Sequence, residues 1–128
     1  MKGIMLTATL FFALPCVGRV QAAAQPGEDI SALESAIAGN PGDAGLYVKL
    51  GFAYSRMHRV DEAQSAFENA VRLDPSRAAA HYMLGLIYEK KGLKEKAIEA
   101  WKACMASATD PGIRDTAARH LHHLAVNR

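Results

Sequence analysis

Two short stretches, LGFAY at residues 50–54 and LGLIY at residues 84–88, lie 34 residues apart in the chain. The same spacing pairs Phe67 with Trp101 further along. Self-similarity at a fixed period of this length is typical of repeat proteins, in which each repeat is one small unit that stacks on the next. Because the matched residues also fall at helical spacings, the repeat unit is predicted to be a pair of α-helices.

The repeated residues resemble the tetratricopeptide repeat (TPR) family, whose pattern combines Leu-Gly and Tyr in a first helix with Ala, an aromatic, Ala and Pro in and after a second. In the second repeat His81 replaces an aromatic and Pro111 comes two residues late, so an irregular turn is expected there. The structural positions of the resemblance are Tyr47, Leu50, Gly51, Tyr54, Ala63, Phe67, Ala70 and Pro75 in the first repeat, and Leu84, Gly85, Tyr88, Ala97, Trp101 and Cys104 in the second.

The resemblance implies close helix crossings at Gly51 and Gly85, where a side chain would push the two helices of a pair apart. Phe67 and Trp101 are expected to fill the gap between neighbouring pairs. Cys104 takes a small-residue core position, so it is expected to be buried and unreactive.

The predicted fold class is all-α, a short TPR solenoid of about six antiparallel helices. A helix before the first repeat and an amphipathic helix after the second extend the pattern. The second of these helices is expected to cap the array, with its apolar face directed inward, and that face carries Ile113, Ala117, Leu121 and Leu124. The helices are predicted at about 29–39, 43–57, 60–73, 77–91, 94–108 and 112–125. The expected segments are a signal peptide (1–24), a linker (25–27), a half-repeat helix (28–42), two TPR repeats (44–77 and 78–111) and a capping helix with its tail (112–128).

The N-terminus has the features of an export signal. Lys2 precedes an apolar stretch at residues 4–14, which is too short to cross a bilayer, and Ala22 to Ala24 supply a cleavage site. The protein is therefore predicted to be exported, to the bacterial periplasm or as a secreted protein. Lipidation at Cys16 is disfavoured because the residues before it fit a lipobox poorly.

Composition argues against nucleic acid as a partner. Half of the 128 residues are hydrophobic, 22% are charged, and the formal net charge is +2. Removal of residues 1–24 would leave 13 basic and 13 acidic residues, so electrostatic attraction to nucleic acid or anionic lipid is not expected. Catalytic and phosphate-binding motifs are absent after residue 24. We therefore expect no enzyme activity and no cofactor.

The resemblance implies a binding scaffold in which the first helix of each repeat lines a concave groove. The groove residues expected to contact a partner protein are Val48, Phe52, Ser55, Tyr82, Met83, Leu86 and Glu89. The Lys and Asn residues with which one subgroup of the family grips the C-terminal carboxylate of chaperones are replaced here by Val48, Phe52 and Met83. The remaining apolar surface suits an amphipathic helix or an extended apolar peptide.

Three alternatives stay open at this point. The apolar groove residues could belong to the core, since apolar residues at helical spacing usually do. The groove could also bind a second copy of the chain, which would make the protein a self-associating scaffold. Finally, His120 and His123 share a helix face and could serve a metal- or haem-handling accessory factor, although neither has a matching set of ligands and a solvated polar face is the simpler interpretation.

Overall fold

The computed structural model describes residues 26–127, which form six α-helices and no strand. The helices are α1 (Pro26–Gly39), α2 (Ala44–Arg56), α3 (Val60–Leu73), α4 (Ala78–Lys90), α5 (Lys94–Ser107) and α6 (Pro111–Val126). Their ends differ from the predicted ends by at most three residues. The prediction of an all-α helical repeat solenoid is confirmed, whereas the predicted signal peptide lies outside the described residues.

Each helix packs against its neighbours in sequence. The most extensive packing joins α2 to α3 and α4 to α5, and α5 packs on α6 more extensively than α1 packs on α2 or α3 on α4. The molecule is therefore two tight helix pairs joined by a lighter contact, with one further helix at each end. Such nearest-neighbour packing is the arrangement of a solenoid.

Local sequence explains where several helices begin. The Asp43 carboxylate accepts a hydrogen bond from the Gly45 backbone N–H at 2.8 Å and so caps α2. The Asp110 carboxylate likewise accepts from the N–H groups of Gly112 and Ile113, at 2.7 and 3.1 Å. Pro111 occupies the first turn of α6, where its missing N–H costs nothing.

Most of the segment predicted to be a linker, residues 25–27, is helical. α1 begins at Pro26, so residues 26 and 27 are helical and not part of a linker. Proline is well suited to the first turn of a helix because its φ angle is already helical.

The core of each pair is a glycine packed against an aromatic ring. A Cβ atom at Gly51 would lie 2.6 Å from the Phe67 ring, and one at Gly85 would lie 2.5 Å from the Trp101 ring. Both rings are fully buried. Only a residue without a side chain allows helices to approach this closely, which is the physical reason for the repeated Leu-Gly step.

A hydrogen bond between neighbouring repeats also recurs at the 34-residue period. The Tyr54 hydroxyl donates to Glu34 at 2.9 Å, and the Tyr88 hydroxyl donates to Glu68 at 2.7 Å. Burial, followed by the bond to the carboxylate, raises the pKa of both tyrosines above its ordinary value. Each tyrosine thus ties the first helix of a repeat to the helix before it, a contact that the sequence analysis did not predict.

The turns inside the two pairs each contain one residue with a positive φ angle, but the residue type differs between the two turns. His58, between α2 and α3, has φ 58°, and Gly92, between α4 and α5, has φ 72°. This left-handed region is open to glycine and costly for a residue with a Cβ. The first turn therefore carries strain that the second avoids.

Candidate functional site: a groove along α2, α4 and α6

Helices α2 and α4 and the beginning of α6 enclose an apolar pocket of about 370 Å³, here called the central pocket. Its apolar walls come from one side chain of α2, two of α4 and one of α6, and all four are half-buried and packed on the core. They are Phe52, Tyr82, Met83 and Ile113. Three of these four are residues that the sequence analysis assigned to the groove.

The polar groups at the rim of the central pocket already have partners. Asp110 is occupied in capping α6, and the Thr116 hydroxyl donates to the Gly112 carbonyl at 2.9 Å. A ligand in this pocket would consequently meet mainly apolar surface.

A second opening, here called the N-terminal pocket, lies between α1 and α2 and has a volume of about 490 Å³. Ala32 and Leu33 of α1 line one side of it, and Lys49, Phe52 and Arg56 of α2 line the other. Because Phe52 lines both pockets, the two openings lie next to each other along α2. The lysine and the arginine are exposed.

The two aromatic side chains of the groove rest on the core rings beneath them. Phe52 meets Phe67 edge to face, with ring centroids 5.3 Å apart, and Tyr82 meets Trp101 in the same way at 5.2 Å. Such contacts hold each ring in one orientation. These residues are therefore both part of the core and part of the groove wall, and the two sequence interpretations are not exclusive.

A polar cluster connects α6 to the second helix pair. The Trp101 indole N–H donates to the Glu89 carboxylate at 3.1 Å, and His120 Nδ1 lies 3.0 Å from each oxygen of the same carboxylate. The His120 ring also stacks on the Trp101 ring, with centroids 4.2 Å apart and planes 16° from parallel. Glu89 was predicted to contact a partner, but it is bonded to α5 and α6.

The expectation of a solvated His120 is wrong. The available signal was its position on the helix, three residues after Ala117 and four before Leu124, both of which were predicted to face inward. The histidine follows that inward-facing row of residues, and its imidazole stacks on the Trp101 ring. The sequence interpretation of His120 followed the polarity of its side chain and not its position on the helix.

The other predicted groove residues take several positions. Val48 and Leu86 are half-buried and pack against the core, and the Ser55 carbonyl accepts the His58 N–H at 3.1 Å near the end of α2. None of these three lines the central or the N-terminal pocket. The pockets are lined in addition by Ala79 of α4 and by the first turn of α6.

Metal chemistry finds no support among residues 26–127. No three His, Cys, Asp or Glu side chains there are grouped as metal ligands. His120 is bonded to Glu89, and His123 Nε2 lies 2.7 Å from the Asn127 side-chain amide. Cys104 is fully buried, and burial raises the pKa of its thiol, which disfavours the reactive thiolate. Within the same range no helix is long and apolar enough to cross a membrane.

Residues 48–103 match a family model described as tetratricopeptide repeat. The solved structures that resemble the chain include TPR proteins. Together these findings support a TPR protein. The matched range contains both Leu-Gly steps, both core aromatic residues, all of α3 and α4 and most of α2 and α5.

The chain superimposes on the crystal structure of MamA with a TM-score of 0.62 and 25% sequence identity, over 79% of this chain and 67% of MamA. A second MamA crystal structure gives the same TM-score and identity, and there the chain spans 63% of the MamA chain. The Arabidopsis OM64 TPR domain gives a TM-score of 0.68 at 16% identity, over 77% of this chain and 82% of that domain, a likeness of fold. No curated protein sequence matches the chain.

Proposed function

We propose that the protein is a non-catalytic TPR scaffold or adaptor that holds a peptide or helix of a partner protein in the groove along α2, α4 and α6. The observation that carries this proposal is the central pocket, whose walls are half-buried aromatic, Met and Ile side chains. Rigid aromatic anchors beside an adaptable methionine are typical of surfaces that accept a peptide. The TPR fold itself favours a protein as the partner.

We further propose that residues 44–77 and 78–111 act as two TPR repeats and that the chain is exported through a cleaved signal at residues 1–24. The support for the repeat bounds is the 34-residue spacing of Gly51 and Gly85. The support for export is the pattern of a basic residue, a short apolar stretch and an alanine cleavage site. N-terminal sequencing of the protein recovered outside the cytoplasm would locate the mature N-terminus.

Site-specific photo-crosslinking in the cells that make the protein tests the groove. A photoreactive residue at Met83 is expected to give a discrete adduct with a partner protein, and the same residue at Met105 is expected to give none. The two positions are a matched pair, because both are accessible methionines but Met105 lies on α5, outside the groove. Phe52→Glu should abolish the adduct formed from position 83 while the far-ultraviolet circular dichroism stays helical. Equal adducts from the two positions, or an adduct that survives in a folded Phe52→Glu variant, would contradict the proposal.

A further inference from the structure

The two helices that face each other across the central pocket, α4 and α6, hardly pack on each other. α6 packs extensively on α5, whereas its packing against α4 is slight. Between α4 and α6 lie the central pocket and a more polar opening of about 370 Å³. Thr116 of α6 lines both openings, and Glu89 and His120 line the second. Direct packing between α4 and α6 therefore contributes little to the spacing between them.

One polar contact bridges these two helices. His120 Nδ1 lies 3.0 Å from each carboxylate oxygen of Glu89, and both side chains are half-buried. Among the hydrogen bonds of residues 26–127, those between His120 and Glu89 are the ones that join α6 to α4. The Trp101 indole N–H donates to the same carboxylate and helps to hold it in place. Bonds to a carboxylate that is partly shielded from water are stronger than bonds between exposed neutral groups.

The bridge and the central pocket lie on the same rows of side chains. Ile113, Thr116 and His120 follow one another on one face of α6, at steps of three and four residues. Tyr82 and Glu89 are about two helical turns apart on α4. Because the side chains of one helix move together, a change in the distance between Glu89 and His120 would also change the distance between the pocket walls at Tyr82 and Ile113.

We infer that the bond between Glu89 and His120 fixes the spacing of the α4 and α6 walls and so selects the size of apolar side chain that the central pocket accepts. This inference rests on the proposed function and adds to it two positioning residues that do not themselves line the central pocket. With the bond in place, Tyr82 and Ile113 keep a fixed separation. Without it, α6 stays packed on α5 but can move away from α4, and the pocket widens.

Two fluorescein-labelled helical peptides that differ in one anchor residue provide the test. The anchor at the centre of the apolar face is Leu in one peptide and Trp in the other, and binding to the purified protein is followed by fluorescence anisotropy. His120→Phe keeps an aromatic ring beside Trp101 but cannot bond to Glu89. This variant is expected to lower the ratio of Leu-peptide affinity to Trp-peptide affinity by about fivefold, because a wider pocket favours the larger anchor. Glu89→Ala removes the acceptor from the other helix and is expected to lower the ratio to a similar extent.

Two control variants separate this effect from a general loss of stability. Glu89→Gln keeps an oxygen that can accept from His120, and its affinity ratio is expected to stay within about twofold of the unmodified protein. Tyr54→Phe removes the 2.9 Å hydrogen bond to Glu34, outside the central pocket, and is expected to change neither affinity.

The failure of this inference can be distinguished from the failure of the proposed function. An unchanged ratio in both His120→Phe and Glu89→Ala, or an equal fall in Tyr54→Phe, would overturn the inference and leave the proposed function standing. Failure of both peptides to bind the unmodified protein, together with equal photo-adducts at positions 83 and 105, would overturn both.

Discussion

The pairs α2–α3 and α4–α5 share the packing of a glycine on a buried aromatic ring, but the two rings make different contacts with the helix that follows each pair. In the first pair the buried ring is Phe67, which can offer the next helix only apolar contact. In the second pair the buried ring is Trp101, whose indole N–H reaches Glu89 and whose face stacks on His120 of α6. The repeat pattern fixes an aromatic at this position, and the choice of aromatic decides whether the buried ring can itself donate a hydrogen bond.

This difference bears directly on the groove. α6 supplies Ile113 and Thr116 to the central pocket, so the position of α6 sets the width of that pocket. The Trp101, Glu89 and His120 cluster fixes α6 by stacking and hydrogen bonding at the same time. The cluster also joins α6 to Glu89 of α4, so it adds a contact beyond the packing of α6 on α5.

The largest expected effect comes from removing the tryptophan. Trp101→Ala should destabilise the protein by about 3–5 kcal/mol, because it leaves a large cavity between α4, α5 and α6. Phe67→Ala should cost less, since Phe67 has a smaller ring and no polar contact to lose. Urea unfolding followed by circular dichroism measures both, with Trp101→Phe as a control that keeps much of the ring. A larger loss of stability for Phe67→Ala than for Trp101→Ala would contradict this difference between the two pairs.

Filling the helix crossings should have the next largest effect. Gly51→Ala and Gly85→Ala are each expected to cost about 1–3 kcal/mol, because the added methyl group would overlap a buried ring. Gly39→Ala is the control, since a Cβ there meets no atom within 4 Å. Thermal unfolding of the three variants ranks them by stability. If Gly85→Ala were tolerated as well as Gly39→Ala, the close approach of α4 to Trp101 would not be a requirement of the fold.

Loss of the imidazole at α6 should cost less. His120→Ala is expected to destabilise the protein by about 1–2 kcal/mol, because it removes the stack on Trp101 and one hydrogen bond to Glu89. Hydrogen exchange should show faster exchange in α6 and little change in α2 and α3. His122→Ala, at an exposed neighbouring histidine, is expected to have almost no effect. Equal effects of the two substitutions would mean that the cluster does not hold α6.

The smallest expected effect concerns the two turns. His58→Gly should stabilise the protein by roughly 0.5–1 kcal/mol, because glycine adopts the positive φ angle there without strain. Gly92→Ala should destabilise it by about 1 kcal/mol for the converse reason. Differential scanning calorimetry resolves shifts of this size. A destabilised His58→Gly variant would show that the imidazole makes a contact worth more than the backbone strain.

The sequence was sufficient for the helices and for the core, because both depend on local periodicity. Gly51, Phe67 and their counterparts 34 residues later could be assigned from spacing, since a repeat must bury the same positions each time. The start of α1 was placed three residues too late, and the structure shows that the helix begins at Pro26, a residue that suits a first helical turn.

The polar contacts between helices were not predictable in the same way. Tyr54 and Tyr88 were recognised as repeated residues, but their bonds to Glu34 and Glu68 depend on how neighbouring helices are set against each other. His120 and Glu89 belong to different helices 31 residues apart, and no repeated pattern relates them. The groove residues were predictable only in part. Spacing assigned Phe52, Tyr82 and Met83 to the groove, whereas Ile113 was predicted to face inward on the capping helix but not to line the groove.

Methyl NMR spectroscopy of the protein titrated with a synthetic helical peptide that carries Leu and Phe on one face is the most direct test of the claim that the groove holds a partner segment. The Met83 and Ile113 methyl groups line the central pocket, whereas the exposed Met57 and Met105 lie outside it. We predict saturable shifts at Met83 and Ile113, with Met57 and Met105 unchanged. Shifts confined to Met57 and Met105, or spread evenly over all four residues, would contradict the claim.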